Sequence, residues 1–120
     1  MTNKDTGKYG EDIACNFLIN RGFKILERNF RYSKAAEIDI IALKDNILHF
    51  VEVKTRSSFA CGSPLEAVGR SKLASIFKCA LFYLNKNSNN HKKFQIDVIG
   101  IVLKKDSENE ITFLENVSIN

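Results

Sequence analysis

The alternation of apolar and polar positions is clearest over residues 37–56, "EIDIIALKDNILHFVEVKTR", which reads as two strands around an Asp45-Asn46 turn. Asp and Asn tolerate the left-handed backbone angles that a two-residue hairpin requires. Such a turn sets a register in which Lys44 faces Ile47, Asp39 faces Glu52 and Glu37 faces Lys54. Side chains alternate between the faces of a strand. Glu37, Asp39, Glu52 and Lys54 therefore share a face with Ile41, Leu43, Leu48 and Phe50, while Ile38, Ile40, Ala42, Val51 and Val53 take the other. Both faces are apolar near the turn, so the four charges cluster at one end of a buried hairpin.

The helical period appears twice. Thr6 is placed to cap a helix over about residues 7–21, with Tyr9, Ile13, Ala14, Phe17 and Leu18 on its apolar side and Gly22 as its stop. The stripe Leu73, Ile76, Phe77, Ala80, Leu81 and Leu84 predicts a second helix after the loop "SSFACGSP". Residues 23–31, 94–103 and 110–119 read as further strands, the last two separated by the charged turn "KKDSENE". The order is helix, strand, strand, strand, helix, strand, strand. That pattern predicts an α/β fold, a mixed sheet flanked by helices, in a single domain over 1–120.

Composition narrows the picture. A hydrophobic fraction of 44% and a single Pro suit an ordinary core. No apolar run approaches the roughly 18 residues of a membrane span, and the opening "MTNKDTGKYG" lacks a signal-peptide core, so the expected location is the cytoplasm, with no membrane partner. Cys15, Cys61 and Cys79 include no C-x-x-C pair, which argues for reduced, packed thiols. Lys and Arg outnumber Asp and Glu by 18 to 14, a mild bias toward polyanions that permits nucleic acid without demanding it.

Asp39 facing Glu52 is the chemically informative pair. Facing carboxylates repel, and burial raises that cost until the pair holds a proton or recruits a cation. Mg²⁺ suits the second option, because it takes one or two protein carboxylates and completes its shell with water and phosphate oxygens. Lys54, two residues after Glu52, is placed to orient an attacking water or to steady developing negative charge. The bland reading of the same residues is a cross-strand ion pair between Glu37 and Lys54, with Asp39 and Glu52 at a wet sheet end. The spacing alone does not choose between them. Arg31, Lys34, Arg56, Arg70 and Lys72 fall near element ends around the acids and are candidates for a phosphate track. Asp97, an acid inside an apolar strand, is expected to buttress Lys72 or a backbone amide. His49 reads as a satisfied core or sheet-edge histidine and His91 as a loop residue, so neither supports zinc.

The motifs "GKYGEDIACNFLINRGFKILERNFR", "EIDIIA", "FVEVKTR", "PLEAVGRSK" and "IDVIGI", in this order, resemble the YraN-like family of small bacterial predicted nucleases. That family is related to restriction endonucleases and archaeal Holliday-junction resolvases. The resemblance implies a restriction-endonuclease-like sheet whose metal site is Asp39, Glu52 and Lys54, with Glu11 as a further acid. Ala36 departs from the family pattern, which usually has Gly before Glu-Ile-Asp. The expected function is a Mg²⁺- or Mn²⁺-dependent endonuclease acting on DNA, at branched or damaged structures, and a homodimer is compatible with it. The alternatives are a non-catalytic nucleic-acid-binding module that keeps the acids for structure, and a protein-interaction module.

Overall fold

A computed structural model describes residues 2–34, 36–56, 64–87, 93–105 and 107–117. The elements follow the predicted order: α1 (Asn3–Asn20), β1 (Lys24–Ser33), β2 (Ala36–Lys44), β3 (Ile47–Arg56), α2 (Pro64–Asn87), β4 (Lys93–Val102) and β5 (Glu110–Leu114). The strands form one mixed sheet in the order β1-β2-β3-β4-β5. Among the described strands only β3 and β4 run parallel, and α2 is the crossover such a pair needs. The last strand ends at Leu114, short of the predicted 119, because Asn116 turns the chain at φ 54; Cys61, His91, most of the loop "SSFACGSP" and residues 118–119 lie outside the described residues.

The start of α1 differs from expectation for a local reason. Thr2, not Thr6, caps it: its hydroxyl accepts the Asp5 N–H (3.1 Å) while the Asp5 carboxylate accepts from the Thr2 N–H. That reciprocal box needs an acid or amide three residues on, which Thr2 has and Thr6, followed there by Tyr9, lacks. The predicted stop holds. Gly22 sits at φ 91, and the Phe23 N–H reaches back to the Leu18 carbonyl.

Each helix covers one face of the sheet. Ala14, Cys15 and Leu18 of α1 pack with Ile40, Ala42, Val51, Ile99 and Ile101. Val68, Leu73, Ile76, Cys79, Ala80 and Tyr83 of α2 pack with Phe30, Ile38, Ile41, Leu48, Phe50 and Val98. Gly10 lets α1 approach β3 closely, since a Cβ there would overlap the Thr55 hydroxyl. Cys15 and Cys79 are buried free thiols, as expected. Gly69 (φ 71, ψ 162) breaks α2 near its start, so the segment running on to Asn87 begins afresh beside the open end of the hairpin. Among the described residues, no helix is long and apolar enough to cross a membrane.

Candidate active site

The hairpin forms with the predicted turn. Asp45 and Asn46 both have positive φ (51 and 64), and the register runs from Lys44–Ile47 to Ile40–Val51. There the pairing of β2 with β3 stops, one position short of Asp39 and Glu52. In place of a continued ladder, the Val53 N–H donates to Asp39 Oδ2 at 2.8 Å. The carboxylate stands where a main-chain carbonyl would, and the two strands fork around it.

The fork coincides with a reset of side-chain alternation that the period-2 reading lacks. Ile40 and Ala42 face α1, as expected, but Ile38 faces α2 together with Ile41. The neighbouring strand makes the same switch. Arg28, paired with Ile40, reaches α1, whereas Phe30, paired with Ile38, packs under α2. Between them lies Asn29 at φ 55, across from Asp39. Asn adopts this left-handed conformation more readily than other side-chain-bearing residues. Asn29 therefore lets β1 change faces beside the point where β2 does. Sequence reasoning missed this residue, and an Asn inside the strand pattern "KILERNFR" was the available signal.

Acids from both faces meet at the fork. Glu52 is only 5% exposed. Burial first, then the Asp39 charge and a hydrogen bond with Asp39, push its carboxyl up to about 8, against the opposing pull of Lys72 and Lys54. Its Oε1 is buried and accepts no hydrogen bond among the described residues, while Oε2 lies 3.8 Å from Lys72 Nζ. On the α1 side, burial and then the Asp39 charge raise the Glu11 carboxyl, and Arg28, 3.5 Å away, works the other way. Asp39 is thus the common neighbour of Glu52 and Glu11. Lys54 is close enough for its charge to lower Glu52.

The other expectations divide. Glu37 does not face Lys54: it pairs with Arg31 across β1 and β2 at 3.1 Å, because the strands have already forked at its level. The bland reading thereby loses its ion pair, and Arg31 is partly engaged. Lys72 sits at the acids themselves. Arg70 and Lys34 are exposed near α2's break and after β1. The Arg56 carbonyl accepts the Leu103 N–H at the end of β3. Asp97 touches a backbone amide and not Lys72; across from Val51 on β4, it is bonded to His49, Gln95 and the Asn116 N–H.

Among the described residues, no three His, Cys, Asp or Glu side chains converge as a ready-made metal cage. The donor set still fits a hard divalent cation: two adjoining carboxylates, one with an unpartnered buried oxygen, match an ion that takes one or two protein carboxylates and leaves its remaining positions to water and phosphate.

Comparison with known proteins places the chain. Residues 10–101 match the model of the uncharacterised protein family UPF0102. A UPF0102 protein of Dictyoglomus thermophilum is 44% identical over 108 residues, covering 90% of this chain and 91% of that one. Relatives in Clostridium novyi (44% over 115 residues, 95% of each chain) and Clostridioides difficile (42% over 111 residues, 92% and 96%) carry the same family name. The likeness to the YraN-like proteins seen in the motifs is thereby borne out: the chain belongs to the UPF0102 family.

Proposed function

We propose that this protein is a divalent-metal-dependent nuclease that hydrolyses phosphodiester bonds of DNA. The observation that carries the reading is the Glu52 carboxyl, buried beside Asp39 with one oxygen unpartnered among the described residues and its proton held to about pH 8. A fold retains such a group at a cost unless a ligand completes it.

Asp39 and Glu52 would hold Mg²⁺ or Mn²⁺. When bound, the ion supplies electrostatic stabilisation of the charge that develops on a phosphodiester during hydrolysis. The Val53 N–H fixes one Asp39 oxygen, which leaves the other free to turn toward Glu52. Lys54 lies beside Glu52 and orients the attacking water or neutralises the phosphate. Lys72, whose charge pulls against the raised Glu52 carboxyl from 3.8 Å, would be placed to meet a substrate phosphate beside the acids. Arg28 holds Glu11 on the α1 flank, where it adds negative charge next to Asp39. In the overall reaction water adds across a P–O bond, leaving one end as a phosphate and the other as a hydroxyl. Arg31, Lys34, Arg56 and Arg70 are the candidates to carry the flanking backbone.

The test is a cleavage time course with Mg²⁺ or Mn²⁺ over linear, single-stranded, flapped and four-way DNA, alongside binding titrations. Glu52→Gln is expected to abolish cleavage, with DNA affinity unchanged or slightly higher, because catalysis needs the metal whereas backbone binding needs mainly positive potential. Lys54→Ala should lower the rate by about 10²-fold or more. A wild-type protein that binds branched DNA yet cuts nothing with either metal would leave the non-catalytic binding module as the better description.

A further inference from the structure

Away from the acids, the flank of α2 that leans toward β1 carries a regular pattern. Lys78, Phe82 and Lys86 are four residues apart and so line one face of the helix, a turn from each other. Both lysines are exposed, and Phe82 keeps 38% of its surface in solvent. Tyr32 of β1 lies against Phe82, ring centroids 4.6 Å apart, and is itself 50% exposed. Buried Phe30 supports the pair: its ring is 6.2 Å from Phe82 and 5.1 Å from Tyr83, with Lys86 Nζ 5.9 Å from its centre. Two touching aromatic rings are thus held in water on a packed base.

The charges around these rings select a partner. Arg31 and Lys34 flank Tyr32 in the chain, and Lys78 and Lys86 flank Phe82 on the helix. Among the described residues, the acids shown near these rings are Glu37, which cancels Arg31, and Glu27, whose charge is felt at Tyr83, against Lys34, Lys78 and Lys86. Cations therefore outnumber acids around an aromatic surface, the combination that binds single-stranded nucleic acid: bases stack on the rings and phosphates take the cations. A base inside a duplex is stacked on its neighbours and cannot present its face this way. The ring pair is also near the fork. Tyr32 follows Phe30, which pairs with Ile38 next to Asp39, and β1 is two strand spacings, about 10 Å, from β3. A strand with one phosphate at the acids reaches the rings within a few nucleotides.

We infer that Tyr32 and Phe82, between Lys78 and Lys86, form a stacking step for an unpaired nucleotide beside the acid fork. The substrate class is then DNA with a single-stranded arm next to the scissile bond. This rests on the nuclease reading and narrows it.

The experiment compares a blunt duplex with a forked duplex carrying 2-aminopurine in its single-stranded arm, titrated in metal-free buffer at two salt concentrations. Wild type is expected to bind the fork more tightly and to quench the 2-aminopurine as it stacks. Tyr32→Ala should weaken fork binding about tenfold and remove the quench, with a much smaller loss on the blunt duplex. Tyr32→Trp, which keeps a stacking face, should restore both. Lys78→Ala should weaken both substrates and reduce the salt slope by about one. Fork affinity and quenching unchanged in Tyr32→Ala would overturn the inference. So would a sedimentation experiment in which Tyr32→Ala splits a dimer without affecting DNA, since the rings would then be a contact between copies. Fork binding that depends on Tyr32, with no cleavage in either metal, supports the stacking step and sinks the hydrolysis. Cleavage lost in Glu52→Gln but independent of Tyr32 does the reverse, and a wild type that binds no nucleic acid overturns both.

Discussion

Asp97 and Glu52 are acids on neighbouring strands of one sheet, 0% and 5% exposed, and their surroundings have little else in common. Asp97 is surrounded by donors: His49 Nδ1 at 2.6 Å, Gln95 Nε2 at 2.8 Å and the Asn116 N–H at 2.9 Å. His49 is held in turn by an edge contact with the Phe23 ring. Glu52 has another carboxyl beside it, the charges of Lys72 (3.8 Å) and Lys54 nearby, and an oxygen with no partner among the described residues. Burial of an acid is therefore no sign of function by itself. What separates the two sites is whether the protein supplies the donors. At Asp97 it does, and the group ties β3, β4 and the segment after β5 together. At Glu52 it does not, and the shortfall is what a ligand would fill.

The contrast predicts opposite consequences for removing each acid. The largest effect is expected at Asp97. Asp97→Ala leaves three donors unsatisfied in the interior and should cost about 3–5 kcal/mol, read as a fall in the urea midpoint. A loss under 1 kcal/mol would mean the network is not structural, and the comparison would collapse.

A smaller change of opposite sign is expected at Glu52. The folded carboxyl holds its proton up to about 8, whereas the unfolded one releases it near 4.5. Between those values the native state binds more protons, so metal-free stability falls as pH rises from about 4.5 to about 8. Glu52→Gln removes this dependence and should stabilise the metal-free protein at pH 8, with little difference at pH 4.5. Adding Mg²⁺ or Mn²⁺ at pH 8 should raise the melting temperature of wild type and not of the variant. Urea titrations at the two pH values decide the matter. A variant less stable than wild type at pH 8 would show that Glu52 is satisfied after all.

The smallest effect tests how the fork is built. Asn29→Ala puts an ordinary side chain at φ 55 and removes a hydrogen bond to Glu11, at a cost of about 1–2 kcal/mol. Asn29→Gly relieves the backbone alone, so its melting temperature should fall between those of wild type and Asn29→Ala. Equal melting temperatures for all three would show that the switch of faces on β1 needs nothing special at this position.

These residues mark how far the chain could be read without its fold. The Asp45-Asn46 turn, the five-pair register beyond it and both helical stripes, apart from Tyr9 and Leu81, which the packing leaves exposed, are local features encoded by neighbours within a few positions. The meeting of Asp39 with Glu52 follows from that register. The reset of alternation at Asn29 and Asp39 does not, because a period-2 pattern assumes an undistorted strand, and so Ile38 was assigned to the wrong face. Glu37 was matched with Lys54 for the same reason: the ladder it presumed ends at Ile40–Val51.

The sequence by itself determined the order of the elements, the hairpin that brings two acids opposite each other, and the family. Each depends on short-range spacing or on motifs along the chain. Only the tertiary structure decided that, among the described residues, one Glu52 oxygen has no partner while Asp97 meets three donors, that Lys72 from α2 and Glu11 from α1 approach the fork from opposite faces, and that Tyr32 lies on Phe82. Those facts depend on which groups long-range packing places near a buried carboxyl or leaves in water, and the energy of a buried charge is set by such neighbours more than by its own identity.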